Sequence, residues 1–234
     1  MGKLLKFLQI KNQQSEKAEI YITGDIVDDS WNYGWDSDPN VYPMNIKKML
    51  DEVKGKDIDV YINSGGGHIF AGVAISHMLS RHDGKTRAII DGIAASAASV
   101  IAFGCDEIEM PRNSYLMIHK PMCSCFGNSD ELLKAAEWLD VLQKGILETY
   151  MAKATEGITE DQINELVNAE TYFTGDQAAE FFNVVVTKEQ EAVAYVGDYA
   201  EKLVLAKHLP ILKQDNRKEN MEREIDLALA LALV

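Results

Sequence analysis

The sequence has little cysteine, no dense run of basic residues and no long internal hydrophobic segment, and each shortage excludes a kind of protein. Only three cysteines occur in 234 residues, and no two of them form a Cys-x-x-Cys pair. An odd number without that spacing indicates neither a disulfide framework nor a zinc site, so free thiols are expected. The net charge of -14 leaves no clustered lysines and arginines for nucleic-acid phosphates. The expected partners are therefore proteins or small molecules.

The N-terminal stretch KLLKFLQI is apolar, but Lys6 interrupts it and no small-residue cleavage site follows. It therefore predicts neither a signal peptide nor a membrane span. What the chain does have is 47% hydrophobic residues, which is enough for a sizeable core. Its length suits one large domain with an appendage. We expect a cytoplasmic protein with a single active site and no membrane association.

Short apolar runs alternate with helical patterns between residues 19 and 190, which is typical of an α/β fold. Strands are predicted at 19–26, 57–64, 85–92, 115–121 and 183–188, and helices at 43–54, 68–82, 94–104, 129–155, 159–168 and 174–182. Thr159 and Gln162 have the spacing of a capping box. The segment 27–42 is polar and turn-forming, so it is expected to be a loop.

These patterns divide the chain into an N-terminal segment 1–18, a folded domain 19–190 and a C-terminal extension 191–234. The extension ends in IDLALALALV, which is apolar at every position after Asp226. Such an ending is expected to be helical and covered by a partner, or partly disordered.

Two glycine- and alanine-rich turns each follow a predicted strand. In INSGGGHIFAG the glycines leave backbone N–H groups open to an anion or an oxyanion, although a purely structural turn fits the same letters. The spacing matches neither a dinucleotide fingerprint nor a phosphate loop. In DGIAASAASV a serine at the start of a helix would lie beside exposed N–H groups, as acyl transfer requires. The same small residues also suit close helix packing.

A histidine follows in SYLMIHKP, where His119 closes a predicted strand. Histidine is the usual base for a serine hydroxyl, but a lone histidine among apolar residues is also a common structural residue.

The order of these motifs is more specific than any one of them. NSGGGHIFAG, GIAASAAS, MIHKP and ETYFTGDQAAEFF, in that order, resemble the N-S-P-G-G, G-x-A-A-S, M-I-H-x-P and acid-bearing motifs of the ClpP-type serine proteases. The resemblance covers about residues 19–190. It implies a ClpP/crotonase-like fold of repeated β-β-α units with a long handle helix. It also implies a serine endopeptidase that forms ring-shaped homo-oligomers, with no metal or organic cofactor.

Within that family, the segment DGIAASAASVIAFGCDEIEMPRNSYLMIHKP resembles the sequences of the phage-encoded ClpP-like head maturation proteases. The tryptophans Trp31 and Trp35, which follow the first predicted strand, are a second point of similarity. This second likeness implies capsid or scaffold proteins as substrates, met in the host cytoplasm or within procapsids.

The resemblance assigns roles to particular residues. Ser96 matches the nucleophile and His119 the general base, and the backbone N–H groups of Gly67 and Ala97 match the oxyanion donors. Ser99, one turn beyond Ser96, is then expected to be small only for packing.

The third member of the triad matches Glu170, although the family usually has aspartate there. Glu165 and Asp176 are the alternatives.

The sequence departs from the family pattern at two further places. Gly65 replaces the proline of N-S-P-G-G, which makes the turn less rigid. Asn168 and Ala169 replace an Asp-Arg pair that links opposing rings, so that kind of coupling is expected to be absent or different. The handle, predicted from Asn128 to about Thr155, has a broad apolar stripe that favours contact between subunits.

The sequence is also compatible with other functions. One is an ATP-dependent Clp-type degradative peptidase instead of a head maturation protease. A Ser-Lys mechanism would make Lys120 the base and leave His119 idle. A crotonase-type enzyme would bind acyl-CoA and need no Ser-His pair, and an assembly protein would use the apolar tail without catalysis.

Overall fold

A mixed β-sheet with helices forms the described part of the computed structural model, which comprises residues 8–13, 15–32 and 40–188. Trp35 and the predicted extension 191–234 lie outside the described residues. The strands are β1 Leu8–Lys11, β2 Lys17–Ile22, β3 Asp57–Ser64, β4 Thr86–Ala95, β5 Glu107–Pro111, β6 Tyr115–Ile118, β7 Thr171–Thr174 and β8 Val184–Thr187. The helices are α1 Pro43–Glu52, α2 Ile69–Ser80, α3 Ala97–Phe103, α4 Ser129–Met151, α5 Glu160–Asn168 and α6 Gly175–Phe181, and Asp29–Trp31 form a 3-10 turn.

The main path of the sheet runs β1-β2-β3-β4-β5-β8, and the steps from β2 to β8 are parallel. Strand β4 changes neighbour along its length. Its residues 87–89 pair with β5, whereas its last residues, 93–95, pair with β6. Strand β7 then pairs antiparallel with β6. The sheet therefore branches at the end of β4, and the segment that follows β4 begins at this branch.

The two faces of the sheet differ in chemistry. Ile20, Val60 and Ile90 belong to the buried core cluster, together with residues of α1, α2 and α3. The opposite face is polar: Asp59 lies on it and accepts from Arg87 Nε at 2.8 Å. Burial by itself pushes the pKa of Asp59 up, but hydrogen bonds from Arg87 and Lys17 outweigh it and lower the pKa. Within the described residues, helices α1, α2 and α3 thus pack against the apolar face of β2–β4.

The predicted fold class is confirmed, with three strands missed and several boundaries shifted by a few residues. Strands β1, β5 and β7 have only four or five residues each, too few for a clear periodic pattern, so the sequence did not predict them. The helix predicted at 94–104 begins only at Ala97. Ala94 and Ala95 are strand residues, because β4 continues and pairs them with Leu116 and Met117. The capping box of Thr159 and Gln162 at the start of α5 is confirmed.

Helix α4 is the predicted handle, and it ends at Met151 rather than near 155. Asn128 caps its N-terminus in a reciprocal capping box with Glu131. Its second half buries Ile146, Leu147 and Tyr150, which also appear in the core cluster. Its first half presents large apolar side chains to solvent: Leu132, Leu133, Trp138 and Val141. Among the described helices, none is long and apolar enough to span a membrane.

Candidate active site

Ser96 lies at a sharp turn between β4 and α3. Its backbone has φ 55° and ψ -122°, a left-handed conformation that is rare for any residue except glycine. The Ser96 N–H donates to the Met117 carbonyl at 3.0 Å, which continues the pairing of β4 with β6. A side chain on such a strand-to-helix turn is exposed at the end of the sheet, where a nucleophile can reach substrate. The next backbone N–H, that of Ala97, is the first of α3 and has no carbonyl partner within the helix.

The glycine-rich turn is pressed against this serine. A Cβ added to Gly66 would lie 2.9 Å from Ser96 Cβ and 2.9 Å from Ala97 N. On either side of Gly67, the Gly66 carbonyl accepts from Ile26 N at 2.9 Å and His68 N donates to Ile26 O at 2.7 Å. Gly67 lines the groove that also contains Ser96. The residues of the two predicted oxyanion donors therefore lie near the same serine: Gly67 across the groove, and Ala97 directly after Ser96 in the chain.

His119 follows directly after β6. It is 7% exposed, and its Nε2 lies 2.7 Å from Ser96 Oγ. The neighbouring Lys120 is exposed to solvent. Because β6 pairs in parallel with the last residues of β4, the sheet itself holds the histidine beside the serine. The structure thus brings together the predicted nucleophile and base, separated by 23 residues in the chain.

Glu170 directly precedes β7, at the same end of the β6–β7 ladder at which His119 follows β6. The antiparallel register pairs Ile118 with Thr171, so His119 and Glu170 are the first residues beyond the ladder on the two strands. Glu170 has φ 52°, a second left-handed residue without the freedom of glycine. Burial, and after it the charge of Glu170, raises the pKa of Tyr172.

The two alternative acids lie elsewhere. Glu165 is on the exposed side of α5. Asp176 Oδ1 lies 3.6 Å from Arg112 Nε. Asp176 is two residues after Thr174, which pairs with Tyr115 at the end of β6 that is far from His119.

Ser99 does more than keep its helix small. It is fully buried, and its Oγ lies 2.6 Å from the Ser96 carbonyl and 2.7 Å from Tyr150 OH. Burial raises the pKa of Tyr150, so the phenol stays protonated and can share this hydrogen bond. The expectation that Ser99 serves only packing is wrong: its hydroxyl links the turn that carries Ser96 to α4.

A groove of about 280 Å³ opens at Ser96 and His119 and runs toward α4. Its other walls are largely apolar and include Phe70, Met122 and Trp138. The rings of Phe70 and Trp138, both about half exposed, lie 6.5 Å apart. The sequence did not single out these side chains, because helical spacing alone does not show which residues of α2 and α4 face each other.

The thiols are free in the structure, as expected. Cys105 is buried in the core, whereas Cys123 and Cys125 are exposed on the segment between His119 and α4. Cys123 also borders the groove. Burial raises the pKa of Cys105 to about 12, which keeps that thiol protonated.

Comparisons with known proteins bear on the family and the fold. The sequence model of the Clp protease family matches residues 44–185. An ATP-dependent Clp protease proteolytic subunit of Ligilactobacillus salivarius (strain UCC118) is 33% identical over 129 residues, which cover 54% of this chain and 64% of that protein. The proteolytic subunit of Bacteroides fragilis (strain ATCC 25285) is 32% identical over 135 residues, 56% of this chain and 64% of the relative.

A solved structure of a ClpP1 mutant from Listeria monocytogenes has the same fold. It superposes with a TM-score of 0.59 at 17% identity, covering 78% of this chain and 96% of that one. The architecture is therefore the α/β fold of ClpP. Since the family match spans more than half of its length, the chain belongs to the Clp protease family. It spans less than two thirds of the length of the two curated relatives described above.

Proposed function

We propose that the protein is a serine endopeptidase of the Clp type that cleaves extended polypeptide segments. The observation that carries the proposal is the 2.7 Å contact between Ser96 Oγ and His119 Nε2, formed at a left-handed turn that leads into the N-terminus of α3. A serine that is only a packing residue needs neither the backbone strain nor the imidazole.

The geometry supports the following sequence of steps. A substrate carbonyl enters beside Ser96, and His119 takes the hydroxyl proton as Oγ attacks the carbonyl carbon. The negative oxygen of the tetrahedral intermediate accepts from the N–H groups of Gly67 and Ala97. His119 then gives its proton to the leaving amine, and water hydrolyses the acyl-enzyme by the same route. Glu170 orients the imidazole so that Nε2 is the acceptor.

The groove suggests how substrate is bound, and the exposed part of α4 suggests how partner subunits are contacted. The apolar walls at Phe70, Met122 and Trp138 suit peptide segments with large apolar side chains. The exposed apolar residues on the first half of α4 suit contact with further copies of the chain, in a ring-shaped homo-oligomer.

The relatives are named as proteolytic subunits of ATP-dependent Clp proteases. Their names favour a degradative Clp-type role over capsid or scaffold processing in phage head maturation. The head maturation role therefore remains the second interpretation, supported by the sequence likeness alone.

Labelling with a fluorophosphonate probe tests the nucleophile. We expect stoichiometric labelling of the wild-type protein and none of Ser96→Ala, because only an activated serine reacts at a useful rate. Ser99→Ala is the matched control, since it removes the other serine of the same turn and keeps Ser96. Labelling that survives in Ser96→Ala, together with undiminished peptide hydrolysis, would overturn the proposal.

Two mechanistic alternatives are separated by simple measurements. Normal activity in His119→Ala would support Lys120 as the base. Saturable binding of an acyl-CoA would support the crotonase-type function. The buried position of His119 against Ser96, and the exposure of Lys120, argue for the serine-histidine mechanism.

A further inference from the structure

A buried amide on α4 joins that helix to the last turn of α5. Gln143 is 7% exposed, and its Nε2 donates to Asn164 Oδ1 at 2.6 Å and to Asn168 Oδ1 at 2.9 Å. The two asparagines are four residues apart, so they lie on the same side of α5 and one amide reaches both. Both contacts lie within a single chain and need no second copy.

Stability alone gives a poor account of this glutamine. Its Oε1 is buried and has no hydrogen-bond partner among the described residues. Burying a carbonyl in that way costs about 1–3 kcal/mol, whereas an apolar side chain of similar volume avoids the cost. The amide is better explained by the position that it fixes on α5.

Asn168, which Gln143 holds at the end of α5, lies two residues before Glu170. Helix α5 ends at Asn168, and Glu170 N donates to the Val167 carbonyl at 3.2 Å as the chain turns into its left-handed conformation. Thr171 then begins β7, and its Oγ1 donates to the Leu166 carbonyl at 2.7 Å. The turn that carries Glu170 is therefore closed by its own hydrogen bonds, so its place relative to α4 depends on where α5 ends.

We propose that Gln143 is a positioning residue. By holding Asn168, it fixes the turn that presents Glu170 to His119. The inference rests on the proposed function, because it assigns a role in aligning the same Ser96-His119-Glu170 site.

The test compares Gln143→Met, which keeps the volume and loses the donor, with Asn164→Ala, which loses only the contact that is further from Glu170. Asn168→Ala changes an exposed side chain at the other end of the bond, so it gives the same comparison if Gln143→Met does not fold. For each variant we would measure kcat and KM on a fluorogenic peptide and the rate of fluorophosphonate labelling. The final labelled fraction corrects for unfolded protein.

We expect Gln143→Met and Asn168→Ala to lower kcat by about tenfold with KM nearly unchanged, and Asn164→Ala to stay within about twofold of wild type. In a Glu170→Ala background, Gln143→Met is expected to have no further effect on the labelling rate, because the residue that it positions is already absent.

An equal loss in the wild-type and Glu170→Ala backgrounds would overturn the inference, since the glutamine would then act independently of Glu170. Unchanged kcat in both Gln143→Met and Asn168→Ala would also overturn it. Either result leaves the labelling of Ser96, and with it the proposed function, intact. Absence of labelling at Ser96 in the wild-type protein would instead overturn the proposed function and this inference with it.

Discussion

The two sides of the groove are held by different kinds of contact. On the serine side, backbone meets backbone: Ser96 N bonds the Met117 carbonyl, and Gly66 leaves no room for a Cβ. On the acid side, β7 also pairs with β6, but the end of α5 that precedes Glu170 is tied to α4 through side chains, Gln143 and Asn168. Backbone contacts cannot adjust when a side chain changes, whereas hydrogen-bonded side chains can re-form or be replaced. We therefore expect damage to the serine side to be abrupt and damage to the acid side to be graded.

The largest effect is expected from Gly66→Ala. The new Cβ would lie 2.5 Å from the Ala95 carbonyl, and φ of +94° is strained for alanine. We expect a loss of more than about 100-fold in peptide hydrolysis, because the oxyanion donors and the serine are displaced together. Gly157→Ala is the matched control: its φ is +92°, but nothing lies within 4 Å of its Cβ. That variant is expected to lose about 1 kcal/mol of stability and no activity. Equal rates of peptide hydrolysis in Gly66→Ala and Gly157→Ala would contradict the expected sensitivity of the serine side.

Glu170→Gln tests the acid side. The amide keeps the shape of the side chain and loses its charge, so the imidazolium formed during attack on the carbonyl is less well stabilised. We expect kcat to fall by about 100-fold with KM little changed. Asp176→Asn and Glu165→Gln are the matched controls, and steady-state kinetics on one peptide compares all three. A larger loss in either control than in Glu170→Gln would move the triad acid away from Glu170.

Ser99→Ala tests the link between the serine turn and α4. The hydroxyl bonds Tyr150 OH at 2.7 Å in a buried site, so its removal leaves the phenol without that partner. We expect a loss of about 1–2 kcal/mol in the free energy of unfolding, measured in urea, and a much smaller change in labelling of Ser96. Tyr150→Phe removes the other end of the same bond. Losses that simply add in the double variant would show that the two hydroxyls do not interact.

The smallest effect is expected on the polar face of the sheet, away from the groove. Burial raises the pKa of Asp91 to about 6, above the value of about 3.9 in unfolded chains. The folded state therefore binds this proton more tightly, and the contribution to stability is lost as pH rises from about 4 through 6.

Asp91→Asn removes that dependence. We expect it to stabilise the protein by about 1 kcal/mol at pH 7.5, allowing for solvent screening of a half-buried group, and not at pH 4. Urea unfolding at both pH values, with the exposed Asp83→Asn as control, measures the change. An equal gain in the free energy of unfolding at pH 4 and pH 7.5 would contradict the raised pKa of Asp91.

The serine side of the site could be predicted from the sequence, and the acid side only in part. Gly67, Ser96 and His119 lie at strand ends, where motif order and backbone requirements leave few alternatives. The position of Glu170 relative to His119 depends on the pairing of β7 with β6. Strand β7 has only four residues and no alternating pattern, so the sequence did not predict it. Gln143 lay within a stripe of apolar residues, and nothing in helical spacing indicates that its amide meets α5.

The wrong helix boundary has a similar cause. Alanine favours helix by its own propensity, so Ala94 and Ala95 predicted an early start of α3. Pairing with β6 overrides that preference, and this pairing depends on residues more than twenty positions away in the chain. Local propensity cannot include a partner that the fold brings in later.

The branch of the sheet at β4 gives the short connection between β5 and β6 an unusual importance. Pro111 ends the strand that flanks the first half of β4, and Tyr115 begins the strand that flanks its last residues. An inserted residue that the connection did not absorb would shift β6 along β4 by about 3.3 Å and move His119 relative to Ser96, while β5 stayed in register. The length of a connection whose residues do not line the groove thus helps to set the distance between Ser96 and His119. We therefore expect insertions between β5 and β6 to be poorly tolerated.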